Sequence, residues 1–526
     1  MTSAIENTRM RYDDLPYHSY AYPHSAPEQL AAVASLFGLP APEVATSRVL
    51  ELGCASGGNL IPFALRNPGA TAVGLDISGV QIAEGREQVA RLGAGNVVMR
   101  EADFLKVDPA ELGEFDYIVA HGVYSWIPPE AQEAVLRIIA RCLSSEGVAF
   151  VSYNTYPGWK AKEIVRDAML MHGGVDRSAS EQVAYGRSML AFLQNVSLKG
   201  GLTAAALNES LPHIVGSPTY YVAHEFLEPF NLPCYFHEFV ARIGSHRLGY
   251  LGEAQPAMMM PSNYGPELAQ QLYGALGEDQ VRVEQYLDFA ISRTFRQTLV
   301  VHAERASTLR WQLDPQVVRG MHFSANPRPK DGPTKLDGQP QEFVAPPHTG
   351  SLTVGLSGLK QVLDLLARRW PGTVTRDELV EYAQRTQGDK GLVAPEVLVE
   401  AIDELLEMLV LRGMARIRLK PVEAGNELLA DPAVRRQVAG VLPPPLHVAN
   451  AWNDTVHIGD VERLLLPMMD GTADRVDLVA AVAQALGEGR LSGVQVPGSD
   501  SDAQAESIVA EAVQRMREAA LLLRQP

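Results

Sequence analysis

The stretch Val49–Leu60, V-L-E-L-G-C-A-S-G-G-N-L, constrains the fold more than any other in the chain. Val49 to Leu52 is apolar apart from Glu51, a run suited to a buried parallel strand. Gly53, Gly57 and Gly58 follow with small residues between them, and Asn59 to Arg66 continues as a helix. A strand, a glycine turn and a helix open a Rossmann-like βαβ unit, where glycines let the backbone turn tightly and approach a ligand. By itself such a loop is a weak signal, because many glycine-rich turns are only turns.

The context strengthens it. Ala72 to Leu75 is followed by Asp76, 19 positions after Gly57, a distance at which an acid can accept hydrogen bonds from ribose hydroxyls. A third strand, Val97 to Arg100, runs into Glu101-Ala102-Asp103-Phe104, and Phe115–Ala120 and Val148–Tyr153 read as strands four and five. Helical segments lie between, at Val80–Leu92 and Glu130–Leu143. This alternation predicts an α/β fold with a doubly wound parallel sheet.

These residues resemble the motifs of class I S-adenosylmethionine-dependent methyltransferases. Glu51-x-Gly53-x-x-x-Gly57 is similar to the first motif, Asp76 to the second, and Asp103 to the acid that holds the adenine amino group. Ala55 stands where many members have glycine. Alanine lacks glycine's freedom at positive φ, so an ordinary backbone conformation is expected there. The upstream Y-D-D-L-P-Y, H-G-V-Y-S-W-I-P after strand four, S-Y-N-T-Y-P-G-W after strand five, and H-E-F followed by P-C-Y-F narrow the resemblance. They are similar to bacterial methyltransferases with a methyltransferase regulatory domain, among them rickettsial-type protein lysine methyltransferases. The resemblance implies a Rossmann-like seven-stranded sheet with a mainly helical insertion. It implies S-adenosyl-L-methionine as cofactor, held by Tyr17, Glu51, Gly53, Ala55, Gly57, Asn59, Asp76, Ile77, Asp103, Phe104 and His121. His121, Tyr124 and Tyr156, after strands four and five, are the expected catalytic set, while Trp126 and Trp159 are read as packing.

The remaining chain divides around these motifs. A Tyr/Pro/His-rich arm with a lid helix is expected over 1–47, the cofactor-binding domain over 48–170, and a regulatory region with the closing strands over 171–323. The stretch 324–350 holds Pro327, Pro329, Pro333, Pro340, Pro346 and Pro347 and reads as a linker. In 351–526, helices at Leu359–Arg368, Arg376–Arg385 and Val397–Met408, with a wing hairpin at Val410–Leu419, suggest a winged-helix-like α/β domain. That segment has 18 Lys and Arg against 25 Asp and Glu, which suits a protein contact or a homodimer interface better than nucleic acid. Gln280–Phe295 reads as a helix, Gly249–Gly252 as strand six and Arg296–His302 as strand seven.

Composition excludes further classes. The net charge of −17 argues against a nucleic-acid or anionic-membrane surface and tolerates a basic substrate. The three cysteines, Cys54, Cys142 and Cys234, form no C-x-x-C pair, so neither a disulfide framework nor a zinc site is expected. His213, His224 and His237, with Glu225 and Glu238, lack metal-ligand spacing and are expected at helix ends and domain contacts. No basic-then-apolar signal pattern and no apolar run of ~20 residues occur, so a cytoplasmic protein without membrane insertion is expected.

The expected reaction is methyl transfer to a protein or peptide, with lysine Nε the favoured acceptor. The alternatives are a small-molecule or natural-product-peptide N- or O-methyltransferase, and a non-catalytic S-adenosylmethionine-binding module. An NAD-linked dehydrogenase would want G-x-G-x-x-G, which Ala55 breaks.

Overall fold

The structure, a computed structural model, describes residues 4–174, 177–311, 313, 315–345, 350–386, 393–425, 427–440, 446–491 and 501–524. Its centre is one seven-stranded sheet in the order β3-β2-β1-β4-β5-β7-β6. The strands are β1 (Arg48–Leu52), β2 (Thr71–Asp76), β3 (Val97–Glu101), β4 (Phe115–Ala120), β5 (Leu143–Asn154), β6 (Leu248–Glu253) and β7 (Phe295–His302). The first five are parallel, and β7 lies antiparallel between β5 and β6. Glu51 pairs with Gly74 on β2 and Val119 on β4, so three strand ends open at one level. Ligands in open α/β sheets bind there.

Local chemistry fixes the connections. Helix Gly79–Leu92 starts on Ser78, whose side chain accepts from Gln81 N–H, and stops at Gly93 with φ +65°. Helix Pro129–Cys142 has proline in its first turn, where no amide hydrogen is needed, and buries one apolar face on the sheet.

The helical insertion between β5 and β6 comprises Trp159–Gly173, Ala179–Val196, Leu202–Val215, Thr219–Phe226 and Phe236–Ser245. It has its own core, including Val165, Met169, Val183, Leu207, Ile214 and Phe226. The outer strands are tied by a buried charge cluster. Arg296 on β7 donates to Glu253, Glu284 and Asp288, all at most 2 % exposed. A buried arginine is tolerable only with its donors satisfied, as here.

The expected linker is folded. In it, β9 (Arg328–Pro329) and β10 (Gln341–Val344) join β11 (Ser351–Val354) in a three-stranded sheet, after β8 (His322–Ser324). Lys360, fully buried, donates from Nζ to the carbonyls of Lys335, Asp337 and Gln339, and Phe343 is buried beside it in the main core. Satisfying a buried ammonium holds the proline-rich loop in place. Residues 346–349 lie outside the described residues.

The expected wing is also displaced. Val410 and Leu411 finish the helix Pro395–Leu411. Beyond that helix the chain forms one short strand, β13 (Arg416–Arg418), which pairs with β8, as does β12 (Val374–Thr375). Alternating charge in V-L-R-G-M-A-R-I-R-L reflects a helix end and one strand, not a hairpin. A genuine hairpin, β14 (Leu446–Ala449) with β15 (Thr455–Ile458), comes later, within a second core built on residues 430–522.

Candidate active site

The carboxyl ends of β1 to β4 open on one cleft, whose other walls are the arm at residues 17–22 and helix Thr219–Phe226. Ten of the eleven residues expected around the cofactor line it: Tyr17, Glu51, Gly53, Ala55, Asn59, Asp76, Ile77, Asp103, Phe104 and His121. The eleventh, Gly57, faces a second cavity behind the arm, with Ser19, Tyr20 and His447.

The glycine loop is held from below by a carboxylate. Asp76 accepts the N–H of Ala55 (2.8 Å) on one oxygen and that of Ser78 (2.9 Å) on the other. Ala55 therefore departs from expectation: its φ is +48°, in the left-handed region. That conformation costs alanine ~1–2 kcal/mol, a cost its charge-assisted bond to Asp76 can offset. At Gly53, φ is +77° and an added Cβ would lie 2.2 Å from Val123 Cγ2, so this position requires glycine. Asp76 lines the cleft.

Glu51 is the least compensated group of the site. It is 4 % exposed, its Oε1 accepts from Asn59 Nδ2 (3.0 Å), and its Oε2 has no partner among the described residues. Burial pushes its carboxyl up to about 8, against the Asn59 bond. An orphaned carboxylate oxygen at the cleft floor fits a ligand that brings a cation. Asp103, beside Phe104 in the same cleft, accepts Leu105 N–H (3.0 Å) and pairs with Lys106 (3.2 Å).

The arm crosses the loop closely. Gly58 N–H donates to Ser19 Oγ (2.7 Å), and Tyr22 N–H to Asn59 Oδ1 (3.1 Å). A Cβ on Gly58 would lie 2.3 Å from the Ser19 carbonyl oxygen. Gly58→Ala is thus expected to lift the arm, read as faster hydrogen–deuterium exchange over residues 16–22. Unchanged exchange there would show that the arm does not depend on this approach.

His121 packs on Tyr22 (ring centroids 4.0 Å apart), and burial lowers its imidazole to about 4, so it is neutral at pH 7. It is a poor proton acceptor as well as a cleft wall. The other two expected catalytic residues are elsewhere. Tyr124 is fully buried against Phe239 and Tyr153, in the core behind the cleft. Tyr156 donates to Glu163 (2.6 Å) and carries Lys160 over its ring, also off the cleft. Trp126, read as packing, lines the cleft, whereas Trp159 is buried.

Tyr12 and Tyr22 of the expected arm, and His224 and Glu225, expected at a helix end or domain contact, complete the walls. His224 stacks on Tyr12 (4.6 Å), and its ring nitrogens meet Glu228 and the Leu15 carbonyl at 2.7 Å each. Burial pushes Glu225 up to about 7, with Lys162 opposing. The H-E pair in the regulatory pattern was the available signal. Four carboxyl groups and an aromatic surround, with Glu51 Oε2 unsatisfied, fit a cationic nucleoside such as S-adenosylmethionine.

Comparison with known proteins agrees. The family model "Methyltransferase domain" matches residues 49–147 and "Predicted methyltransferase regulatory domain" residues 218–302. "PKMT, C-terminal winged helix domain" matches residues 429–521, which places that domain on β14 and β15 rather than on the helices first assigned to it. An uncharacterized protein of Rickettsia prowazekii is 30 % identical over 490 residues, covering 91 % of this chain and 87 % of its own. A second protein of that organism is 34 % identical over 239 residues, 45 % of this chain and 95 % of its own. The solved structure of PKMT2 from Rickettsia typhi in complex with AdoHcy superposes with a TM-score of 0.85 at 25 % identity, covering 96 % of this chain and 100 % of that one. With a relative this similar over nearly its whole length and a cleft built for the donor, the chain belongs to the S-adenosylmethionine-dependent methyltransferases of the rickettsial PKMT type.

Proposed function

We propose that the methyl acceptor is the Nε of a lysine in a protein. The acids of the cleft carry this reading: Glu51, Asp76, Asp103 and Glu225 line it, among the described residues no lysine or arginine does, and an entering cation favours the ionised forms of Glu51 and Glu225, which desolvation otherwise opposes. A unit charge ~4 Å from another interacts at ~4 kcal/mol where the effective dielectric is ~20. A cationic acceptor is drawn into such a cleft, and a carboxylate acceptor is repelled. The similarity to PKMT2 supports the same choice.

S-adenosylmethionine supplies a methyl group already activated on a sulfonium. The chain must hold the donor, exclude water and present a neutral amine in line. Glu51 Oε2, Asp76 and the Asp103–Phe104 pair would be the donor's binding groups in this reading, and the Tyr17 and Tyr22 rings lining the cleft could face a cation. Lysine reaches the cleft protonated, so a proton must leave before its lone pair can attack. Glu225 is the group proposed to take it, since His121 is too weak a base.

The test is incubation of the purified chain with tritiated S-adenosylmethionine and cell lysate, followed by size fractionation and acid hydrolysis. The expected result is label in protein, recovered as methylated lysine. Label in small solutes, or label lost under mild alkali as esters are, overturns the lysine assignment.

A further inference from the structure

The C-terminal winged helix reaches Asn59 of the donor site through the Asn453 side chain. Hairpin β14–β15 turns through Asn450–Asp454, and Asn453 there has φ +62°. Its Nδ2 donates to Asn59 Oδ1 (3.1 Å) and to the Tyr22 carbonyl (3.3 Å). Asn59 is the residue that donates to Glu51, and its Oδ1 also accepts Tyr22 N–H. One turn further, Thr455 Oγ1 accepts Ala21 N–H (3.0 Å) and donates to the Ala21 carbonyl (2.9 Å).

The turn does not need this amide for its own shape. Asn450 Oδ1 accepts the N–H groups of Trp452 (2.8 Å) and Asp454 (2.9 Å) and sets the conformation. Docking does not need it either. Trp452 is 1 % exposed and donates to the Pro371 carbonyl (2.9 Å). The Asn453 side chain is left for the site.

We infer that Asn453 is a positioning residue for donor binding, and that hairpin β14–β15 clamps the arm and the Asn59 amide over Glu51. With Oδ1 fixed by two donors, Asn59 can only present Nδ2 to Glu51 Oε1. Glu51 Oε2 then remains for the donor's cation. The hairpin that a DNA-binding winged helix would lay on nucleic acid is occupied here by the chain's own arm.

Asn453→Gly keeps the positive φ and removes only the amide. Asn453→Asp keeps φ and shape but turns an oxygen toward two oxygens. Calorimetry with S-adenosylhomocysteine on the full chain should show affinity lower by about fivefold or more for the glycine variant, the loss of about one buried hydrogen bond, and lower again for the aspartate. The melting temperature of the ligand-free chain should stay within about 2 °C, since the fold's anchors are untouched. Loosening Asn59 should also move the pH at which binding half-develops upward. The charged group facing Glu51 is Asp76, with Tyr22 beside it, and neither is altered. Thr455→Val, distant from Glu51, should raise hydrogen–deuterium exchange over residues 20–22 without that pH shift. Wild-type affinity in both Asn453 variants, or weaker binding matched by an equal loss of ligand-free stability, would overturn the inference.

Discussion

Glu51→Gln is expected to stabilise the ligand-free protein at pH 8 while weakening donor binding at least about tenfold, the loss of a charge-assisted bond. Both effects stem from the same buried oxygen. The folded carboxyl is raised to about 8 by burial, whereas an unfolded glutamate titrates near ~4.3. Between those values the folded chain keeps a proton that the unfolded chain has released, so stability falls as pH rises through that window. Above about 8 the penalty is complete, on the order of a few kcal/mol for a fully buried group. Glutamine keeps the shape, still accepts from Asn59 and never ionises. The melting temperatures of variant and wild type should therefore coincide near pH 5 and diverge by pH 8, the variant higher. Calorimetry with S-adenosylhomocysteine should show the reverse order of affinity at pH 8. A wild-type chain whose stability does not fall over this window would refute the buried, unpartnered state of Glu51.

The cleft walls built by the strand ends were legible in the sequence, because strand ends and acids lie close together along the chain. Val49–Leu52, Asp76 and Asp103 announce themselves by an apolar run ending in glycine or acid. The groups proposed for the acceptor were not. That Tyr124 and Tyr156 come after strands four and five does not say whether their rings turn toward the cleft or into the core, and both turn away. Glu225 enters from an insertion a hundred residues downstream, by a helix whose docking no local pattern encodes. Ala55 shows a different limit: propensity forbids its φ, and a tertiary hydrogen bond to Asp76 overrides propensity. The proline-rich stretch 324–350 misled for the same reason, since Lys360 lies far enough along the chain that no local window joins them. Asn453 was invisible too, because turn asparagines are common for backbone reasons alone.

Glu225→Gln separates proton transfer from binding. The glutamate is half-buried on helix Thr219–Phe226, and its carboxyl is raised to about 7, mainly by desolvation. An unperturbed carboxylate near ~4.3 would hold a lysine proton too weakly to matter, while one near 7 is matched to neutral pH. In the proposed reaction the proton would pass to the Glu225 carboxylate, the Nε lone pair would form the N–CH3 bond, and the C–S pair would stay on sulfur. Glutamine preserves volume and removes both the charge and the acceptor. Single-turnover methyl transfer at pH 7 should fall by about 10²–10⁴, the range general bases contribute. Affinity for S-adenosylhomocysteine should not change, because Glu51, Asp76 and Asp103 are intact. Wild type should climb through about pH 7 as Glu225 ionises and then level. The variant should gain about tenfold per pH unit toward the lysine's own value near ~10, since only free amine then reacts. Tyr156→Phe, outside the cleft, should match wild type throughout. A Glu225→Gln enzyme that makes methyl-lysine at the wild-type rate, with the wild-type profile, would remove Glu225 from the reaction and leave the lysine acceptor standing. A profile flat from pH 6 to pH 10, with alkali-labile product, would remove the lysine itself.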